Sequence, residues 1–338
     1  MGTMKMTYRS LLEWGEQELK AAQLTEGKWD AWLLFSYLFG MERGQYYLVM
    51  NQEIIKECLI DQYQEMLDRR KMRIPLQHIT GEQEFMGYSF RVNEHVLIPR
   101  QDTECLVEKV WEEIVRRKEN SQRIEGQNKN IHVLDMCTGS GCIAVSLCKM
   151  YKDKYHQELN MTAVDISEHA LQVAQDNGSE LQCEHIQWVQ SDLFGQLRRN
   201  QEMNFIAQQN DNELKNNDLK INQLKYDVIV SNPPYIPTEV IASLEDEVKL
   251  YDPWAALDGK EDGLYFYNKI IKESVRFLRS GGMLAFEIGC EQGASVESMM
   301  KDEGYSYIEV SKDLAGLDRV VLGYWHCEGL QDGINDKE

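Results

Sequence analysis

Over the first seventy residues, apolar positions recur at helical spacing. Leu11, Leu12, Trp14 and Leu19 form one run, and Trp29, Trp32, Leu33, Phe35, Tyr37 and Leu38 a second that stops at Gly40. Ile54, Ile55, Leu59, Tyr63, Met66 and Leu67 form a third, spaced for one helix face. These side chains read mainly as the core of a small helical domain, residues 1–74, closed by Pro75. Residues 83–98 alternate as a hairpin does, with Gly87 at or near its turn. A helix over 102–118 and a polar stretch over 119–130 complete a linker spanning 75–130.

From residue 131 the pattern changes. Short apolar runs at 131–136, 161–165, 186–190, 226–231, 283–288, 305–310 and 319–324 read as strands. Helical stretches lie between them, one from the Gly139–Gly141 turn to about Tyr151, others over 263–279, with Gly281-Gly282 as its stop, and over 291–302. Strands alternating with helices predict an α/β domain, residues 131–328, with a doubly wound, mostly parallel sheet. Residues 196–225 interrupt it. They are rich in Asn, Gln and Lys, a composition that cannot bury a core, and read as a disordered surface insertion. Residues 329–338 read as a polar tail.

The candidate chemistry sits where these strands end. After Tyr226–Ser231 comes Asn232-Pro233-Pro234-Tyr235. Two prolines have no N–H to donate, so the sheet stops and leaves carbonyls without ladder partners. An amide oxygen, a free carbonyl and an aromatic ring then form a receptor for a planar group bearing –NH2. Upstream, Asp135 ends a strand before Cys137-Thr138-Gly139-Ser140-Gly141, a turn that lets a ligand approach the backbone. Asp165 ends the next strand, where a carboxylate accepts ribose hydroxyls. Asp192 follows the third and is placed to meet an adenine amino group. Gly139-x-Gly141-x-x-Ala144 also fits a dinucleotide fingerprint, so an NAD enzyme stays open on these residues alone, although it leaves Asn232–Tyr235 unexplained.

This ordered set resembles class I S-adenosylmethionine-dependent methyltransferases that modify amino groups on planar systems. Further stretches, Pro75–Gly87, Val96–Arg100, Ala256–Gly259, Phe286–Gly289 and Asp313–Arg319, are similar to those of the bacterial PrmC/HemK family. The resemblance spans roughly residues 70–325. It implies a seven-stranded class I methyltransferase sheet and methyl transfer from S-adenosylmethionine, leaving S-adenosylhomocysteine. The acceptor it implies is N5 of the glutamine in the GGQ motif of peptide-chain release factors, held by the N-terminal helical domain. The cofactor would lie on Asp135, Cys137, Thr138, Gly139, Ser140, Gly141, Asp165, Asp192, Leu193 and Asn232. Asn232, Pro233, Pro234 and Tyr235 would hold the substrate amide, with Asn232, Pro233 and Tyr235 at the chemistry. Two departures matter. Cys137 stands where the family usually has glycine, and its Cβ would narrow the approach if that position needs positive φ. Leu193 stands where some members carry tryptophan, so an aromatic adenine platform is missing.

Composition bears on the substrate. At 338 residues the chain suits about two domains. No run of 18 apolar residues occurs and residues 1–9 lack an apolar core, so neither membrane contact nor a signal peptide is expected, and the cytoplasm is the expected compartment. Eight scattered cysteines without a C-x-x-C pair read as reduced thiols, with no metal site. The formal net charge of −20 disfavours a direct nucleic-acid partner and suits a basic protein. The clusters Arg69-Arg70-Lys71 and Arg116-Arg117-Lys118 read as solvated groups at helix ends. An amino-directed DNA or RNA methyltransferase is the alternative reading.

Overall fold

A computed structural model describes residues 6–125, 130–200 and 225–325. The chain forms two compact units, Met1–Glu82 with Glu245–Tyr251, and Gln83–Leu244 with Asp252–Glu338.

The first unit is helical: α1 (Tyr8–Ala21), α2 (Gly27–Phe39), α3 (Arg43–Val49), α4 (Glu57–Lys71) and α5 (Leu76–Thr80). Thr7 and Ser10 cap α1 reciprocally, and Gly40, at φ 60°, ends α2. Leu11, Leu19, Leu34, Phe35, Tyr63 and Leu67 are fully buried. Tyr63 crosses the core to donate to the Ala31 carbonyl at 2.8 Å. A Cβ on Gly15 would lie 2.3 Å from its hydroxyl, which explains a glycine inside α1.

Three expectations change here. The third run becomes helical only at Glu57, so Ile54 joins the core from a loop while Ile55 is 93% exposed. Trp29 and Tyr37 are about half exposed. Arg70 is buried and not solvated: its guanidinium donates to Asp30 at 2.8 Å and to Glu247 at 2.6 Å, which fastens residues 245–251 to this unit. A charged cluster reads as solvated until tertiary structure supplies buried acids.

The second unit opens with a hairpin, β1 (Glu82–Phe85) and β2 (Tyr88–Arg91). Met86 and Gly87, at φ 52° and 75°, make its two-residue turn, which matches strand twist when both residues are left-handed. Then follow α6 (Asp102–Glu125), β3 (His132–Met136), α7 (Cys142–Tyr155), β4 (Asn160–Asp165), α8 (Glu168–Glu180), β5 (Gln187–Gln190) and β6 (Tyr226–Ser231). After β6 come helix Tyr265–Ser274, β7 (Leu278–Glu287), helix Gly293–Glu303, β8 (Tyr305–Lys312) and β9 (Asp318–Trp325). The seven strands run in the order β5-β4-β3-β6-β7-β9-β8. β5 to β7 are parallel and β9 is antiparallel to both neighbours.

Alternation along the strands builds two cores. Val133, Val228 and Val230 face α6 and α7, while Leu134, Met136 and Ile229 face helices Tyr265–Ser274 and Gly293–Glu303. Both faces are apolar, as a sheet covered on both sides requires.

Some boundaries move. α6 runs to Glu125, so Arg116–Lys118 sits inside it: Lys118 is buried and Arg117 donates to Glu113. The helix expected over 263–279 stops at Ser274, and β7 begins at Leu278. Gly281-Gly282 therefore lies within the strand, beside a shift in its register with β6, and does not stop a helix. Residues 195–200 are helical, while 201–224 and the tail lie outside the described residues.

Candidate active site

β3, β4, β5, β6 and β7 point their carboxyl ends at one edge of the sheet. The chain leaves β3 toward β4 on one side and pairs with β6 on the other, and ligands bind at such switch points. A cavity of about 330 Å³ lies there. Its floor is Cys137–Ser140, Asp165, Ile166, Asp192 and Leu193 from the ends of β3, β4 and β5, with Asn232 and Pro234 after β6. Residues from 95–103 and from 253–260 add to the wall, as do Ile143, Ala170 and Phe266.

The loop after β3 is left-handed at Cys137, Gly139 and Gly141, with φ of 63°, 55° and 79°. A Cβ on Gly139 would meet nothing, so the backbone there is open to a ligand. A Cβ on Gly141 would sit 3.0 Å from Ala174, so that glycine instead permits α8 to close in, and it does not line the cavity. Cys137 does adopt positive φ and is one of the residues of the wall, while its side chain packs against the core beneath the sheet's end. Burial pushes its thiol well above the ordinary range, and that of Cys142 to about 12, so both are protonated.

Asp135 lies beneath the loop and is not part of the wall. It is fully buried, accepts from the Thr138 hydroxyl at 2.5 Å, and leaves Oδ1 without a partner among the described residues. Burial raises it to about 7. Its place makes it a support of the loop. Asp165 does line the cavity. It accepts from the backbone N–H of Gly139 and of Ser167, both at 2.9 Å, with the Ile166 N–H also directed at it, and its two oxygens together keep acceptor capacity for a ligand. Burial raises its pKa as well, and Leu193 is held at φ 47° beside it in the wall.

At β6, Ser231 donates to the Met136 carbonyl at 2.7 Å and ties the two central strands. Asn232 follows. Its Nδ2 donates to Glu287 Oε2 at 2.9 Å and to Thr103 Oγ1 at 3.3 Å, and Oδ1 is left as its free acceptor among the described residues. Tyr235 donates to Glu287 Oε1 at 3.3 Å. The Tyr235 backbone is gripped on several sides: Gln292 donates to its carbonyl at 3.0 Å, and Cβ atoms on Gly259 or Gly263 would come within 2.7 and 2.3 Å of it. Ile236 and Gly259 complete the clamp with N–H bonds at 3.0 and 2.8 Å. Pro233 and Tyr235 lie outside the cavity wall, whereas Asn232 and Pro234 form part of it.

Glu287 and Thr103 were not singled out from the sequence. Glu287 carries the same signature as Asp165, an acid ending an apolar strand; Thr103 has none. His132 opens β3 at the opposite end of the sheet, and His185 lies 3.8 Å from Glu158, so neither reaches the site. Among the described residues no cluster of His, Cys, Asp and Glu could hold a metal ion, and no helix is long and apolar enough to cross a membrane.

The cavity suits S-adenosylmethionine by its lining, which combines the open backbone of Gly139, the carboxylates of Asp165 and Asp192, and the apolar Ile166 and Leu193. A sheet in this order, with such a cavity and Asn-Pro-Pro-Tyr after its fourth strand, defines a class I S-adenosylmethionine-dependent methyltransferase. Residues 10–81 match the model of the PrmC N-terminal domain, and residues 127–316 match a methyltransferase domain. The chain is 36% identical over 295 residues to the release factor glutamine methyltransferase of Clostridium acetobutylicum, covering 87% of this chain and 90% of that protein. It is 34% identical over 328 residues to that of Clostridium botulinum, covering 94% and 98%. A solved S-adenosylmethionine-dependent methyltransferase from Agrobacterium tumefaciens is 14% identical and overlays with a TM-score of 0.42, covering 72% of this chain and 69% of that one. The chain belongs to the release factor glutamine methyltransferase family, and its cofactor is S-adenosylmethionine.

Proposed function

We propose that this chain methylates N5 of the glutamine side chain in the GGQ motif of peptide-chain release factors, a modification in translation termination. The observation that carries the reading is the orientation of Asn232. Its Nδ2 is engaged by Glu287 and Thr103, so it offers an acceptor to an incoming –NH2 group beside the cofactor cavity.

An amide nitrogen is a poor nucleophile, because its lone pair is delocalised into the carbonyl. S-adenosylmethionine supplies a strong electrophile, the sulfonium methyl. The chain's own task is to bring that nitrogen into line and hold it there, and positioning of this kind reaches effective molarities of about 10⁵–10⁸ M. Asn232 Oδ1 accepts one amide hydrogen and the Pro233 carbonyl the other. Both bonds strengthen as positive charge grows on nitrogen. Tyr235, clamped by Gln292, Gly259 and Gly263, keeps the Pro233-Pro234 backbone in place. Thr138, Gly139 and Ser140 hold the amino-acid end of the cofactor, Asp165 the ribose, and Asp192 and Leu193 the adenine. No side chain is assigned as base, and the nitrogen releases its proton to water after transfer. The helical residues 1–74 hold the release factor, and the protein works in the cytoplasm.

The net charge of −20 favours this protein substrate over an amino-directed nucleic-acid activity. The test is incubation with labelled S-adenosylmethionine, a purified release factor and bulk DNA and RNA. Label is expected in the release factor alone and is expected to vanish when its GGQ glutamine is replaced. Label in nucleic acid, or label that survives the replacement, overturns the reading.

A further inference from the structure

Glu287 ends β7 only 2% exposed, behind Asn232 of the cavity wall and outside the set of residues assigned above to substrate or cofactor. One carboxylate oxygen takes Asn232 Nδ2 at 2.9 Å and the other takes the Tyr235 hydroxyl at 3.3 Å. Thr103 closes the triangle, accepting from Asn232 and donating to Glu287. The backbone of Glu287 is fixed too, since the Tyr267 hydroxyl donates to its carbonyl at 2.9 Å. A buried acid joined to two residues of one loop, with no ion pair among the described residues, does not act as a surface charge.

We infer that Glu287 is the positioning residue of the methyl transfer: its carboxylate holds the Asn232 amide with Nδ2 inward, so that Oδ1 is the atom the substrate amide meets. The inference rests on the proposed reaction and deepens it. An asparagine side chain turned over about its terminal torsion exchanges an acceptor for a donor with almost no change of shape. A carboxylate can only accept, so it tolerates one of the two orientations. The turned amide would set its NH2 against the NH2 of the glutamine, leaving the substrate without its acceptor. Glu287 also contributes charge. A buried anion behind Nδ2 polarises the Asn232 amide toward a more negative Oδ1, and that favours positive charge growing on the substrate nitrogen.

The groups facing Glu287 are Thr103 and Asp102 from α6, Tyr235 from the loop after β6, Tyr267 from helix Tyr265–Ser274 and Arg319 from β9. Arg319 is itself engaged by Asp313 at 3.0 Å and Asp102 at 3.2 Å. Burial outweighs it and raises the Glu287 pKa above the ordinary carboxylate range. As pH falls through that raised value, Glu287 gains a proton and one of its acceptors becomes a donor. Methyl transfer is then lost on the acid side.

The test is Glu287→Gln in the full chain, which keeps shape and removes charge. kcat is expected to fall about 10- to 100-fold, less than the roughly 10²–10³ that loss of a directly contacting group costs. The KM for release factor and the affinity for S-adenosylmethionine should stay within a few-fold, and the acid limb of the kcat profile should disappear. A second readout needs no activity. The side-chain amide signals of Asn232, assigned in ¹⁵N-asparagine-labelled protein by their absence in Asn232→Asp, should titrate with Glu287 in wild type and shift in Glu287→Gln. If the Gln variant does not fold, the wild-type titration alone decides: Asn232 signals that ignore pH across the acid limb overturn the inference. So does a folded Glu287→Gln with unchanged kcat and unchanged Asn232 signals. Wild type that leaves release factor unlabelled while its Asn232 signals follow Glu287 overturns the functional reading and upholds the contact.

Discussion

The two ends of the seven-stranded sheet treat buried acids in opposite ways. Toward the amino ends, Glu113 and Asp227 are each 2% exposed and are met by arginines. Glu113 accepts from Arg116 at 2.7 and 2.8 Å, from Arg117 at 2.5 Å and from Tyr324 at 3.2 Å. Asp227 accepts from Arg279 and from the His132 N–H, with Arg117 at 3.7 Å. At the carboxyl ends, Asp135, Asp165 and Glu287 form no ion pair among the described residues; their partners are backbone N–H groups, hydroxyls and one amide. Burial raises the pKa of all three. An acid surrounded by guanidinium groups is a clamp between α6 and the sheet. An acid left with neutral partners stores unfavourable burial and keeps lone pairs for a ligand or a neighbouring side chain. The difference separates the structural end of this domain from its chemical end.

Substitutions at the two ends should therefore act on different measurements. Asn232→Ala is expected to have the largest effect, a loss of about 10²–10³ in kcat with S-adenosylmethionine affinity nearly unchanged. Near-normal methylation of release factor by this variant removes Asn232 from the reaction. Asp165→Ala should weaken S-adenosylmethionine binding by about 1.5–3 kcal/mol, since it removes charge-assisted acceptors. Calorimetry on the folded variant reads it, and unchanged affinity breaks the ribose assignment.

Glu113→Ala should do the reverse of both. It leaves the arginines of α6 without their acid, and because these can turn partly to water the expected loss is about 1–3 kcal/mol of unfolding free energy. Turnover per folded molecule should be kept, and a variant that keeps its stability but loses kcat breaks the contrast between the two ends. Asp135 sharpens it through pH. Its folded pKa of about 7 is raised, so the folded state holds a proton that the unfolded chain has released, and stability is lost as pH rises from the ordinary carboxylate value toward 7. Asp135→Asn should remove most of that loss, so its melting temperature relative to wild type should climb between pH 5 and pH 8.

The smallest effect is expected at Cys137. Its left-handed backbone costs a non-glycine residue about 1–2 kcal/mol. Glycine returns about 0.5–1 kcal/mol of that as unfolded-state entropy. Cys137→Gly should thus stabilise the protein by about 0.5–1 kcal/mol. A lower melting temperature shows that the thiol's packing matters more than the strain.

Local pattern by itself determined a good deal of this protein. Period-two and period-3.6 spacing decide which face of a strand or helix turns inward, and that is a property of neighbours in the chain. So Tyr226–Ser231 appears as expected, Met86-Gly87 makes its turn, and α1, α2 and the seven strands are legible. The strand-end residues Gly139, Asp165, Asp192 and Asn232 gather at one edge for the same reason, since parallel strands end on the same side. Tertiary structure alone decided what these residues touch. That Arg70 and Lys118 are buried depends on Asp30 and Glu247 for the first and on Gln157 for the second, none of them a neighbour in sequence. That Asp135 supports the loop while Asp165 faces the cavity depends on where α7 and α8 close. That Asn232 presents oxygen and not nitrogen depends on Glu287, fifty-five residues away. A motif names the atoms available at a site, and only packing between distant segments decides which of them point at the substrate.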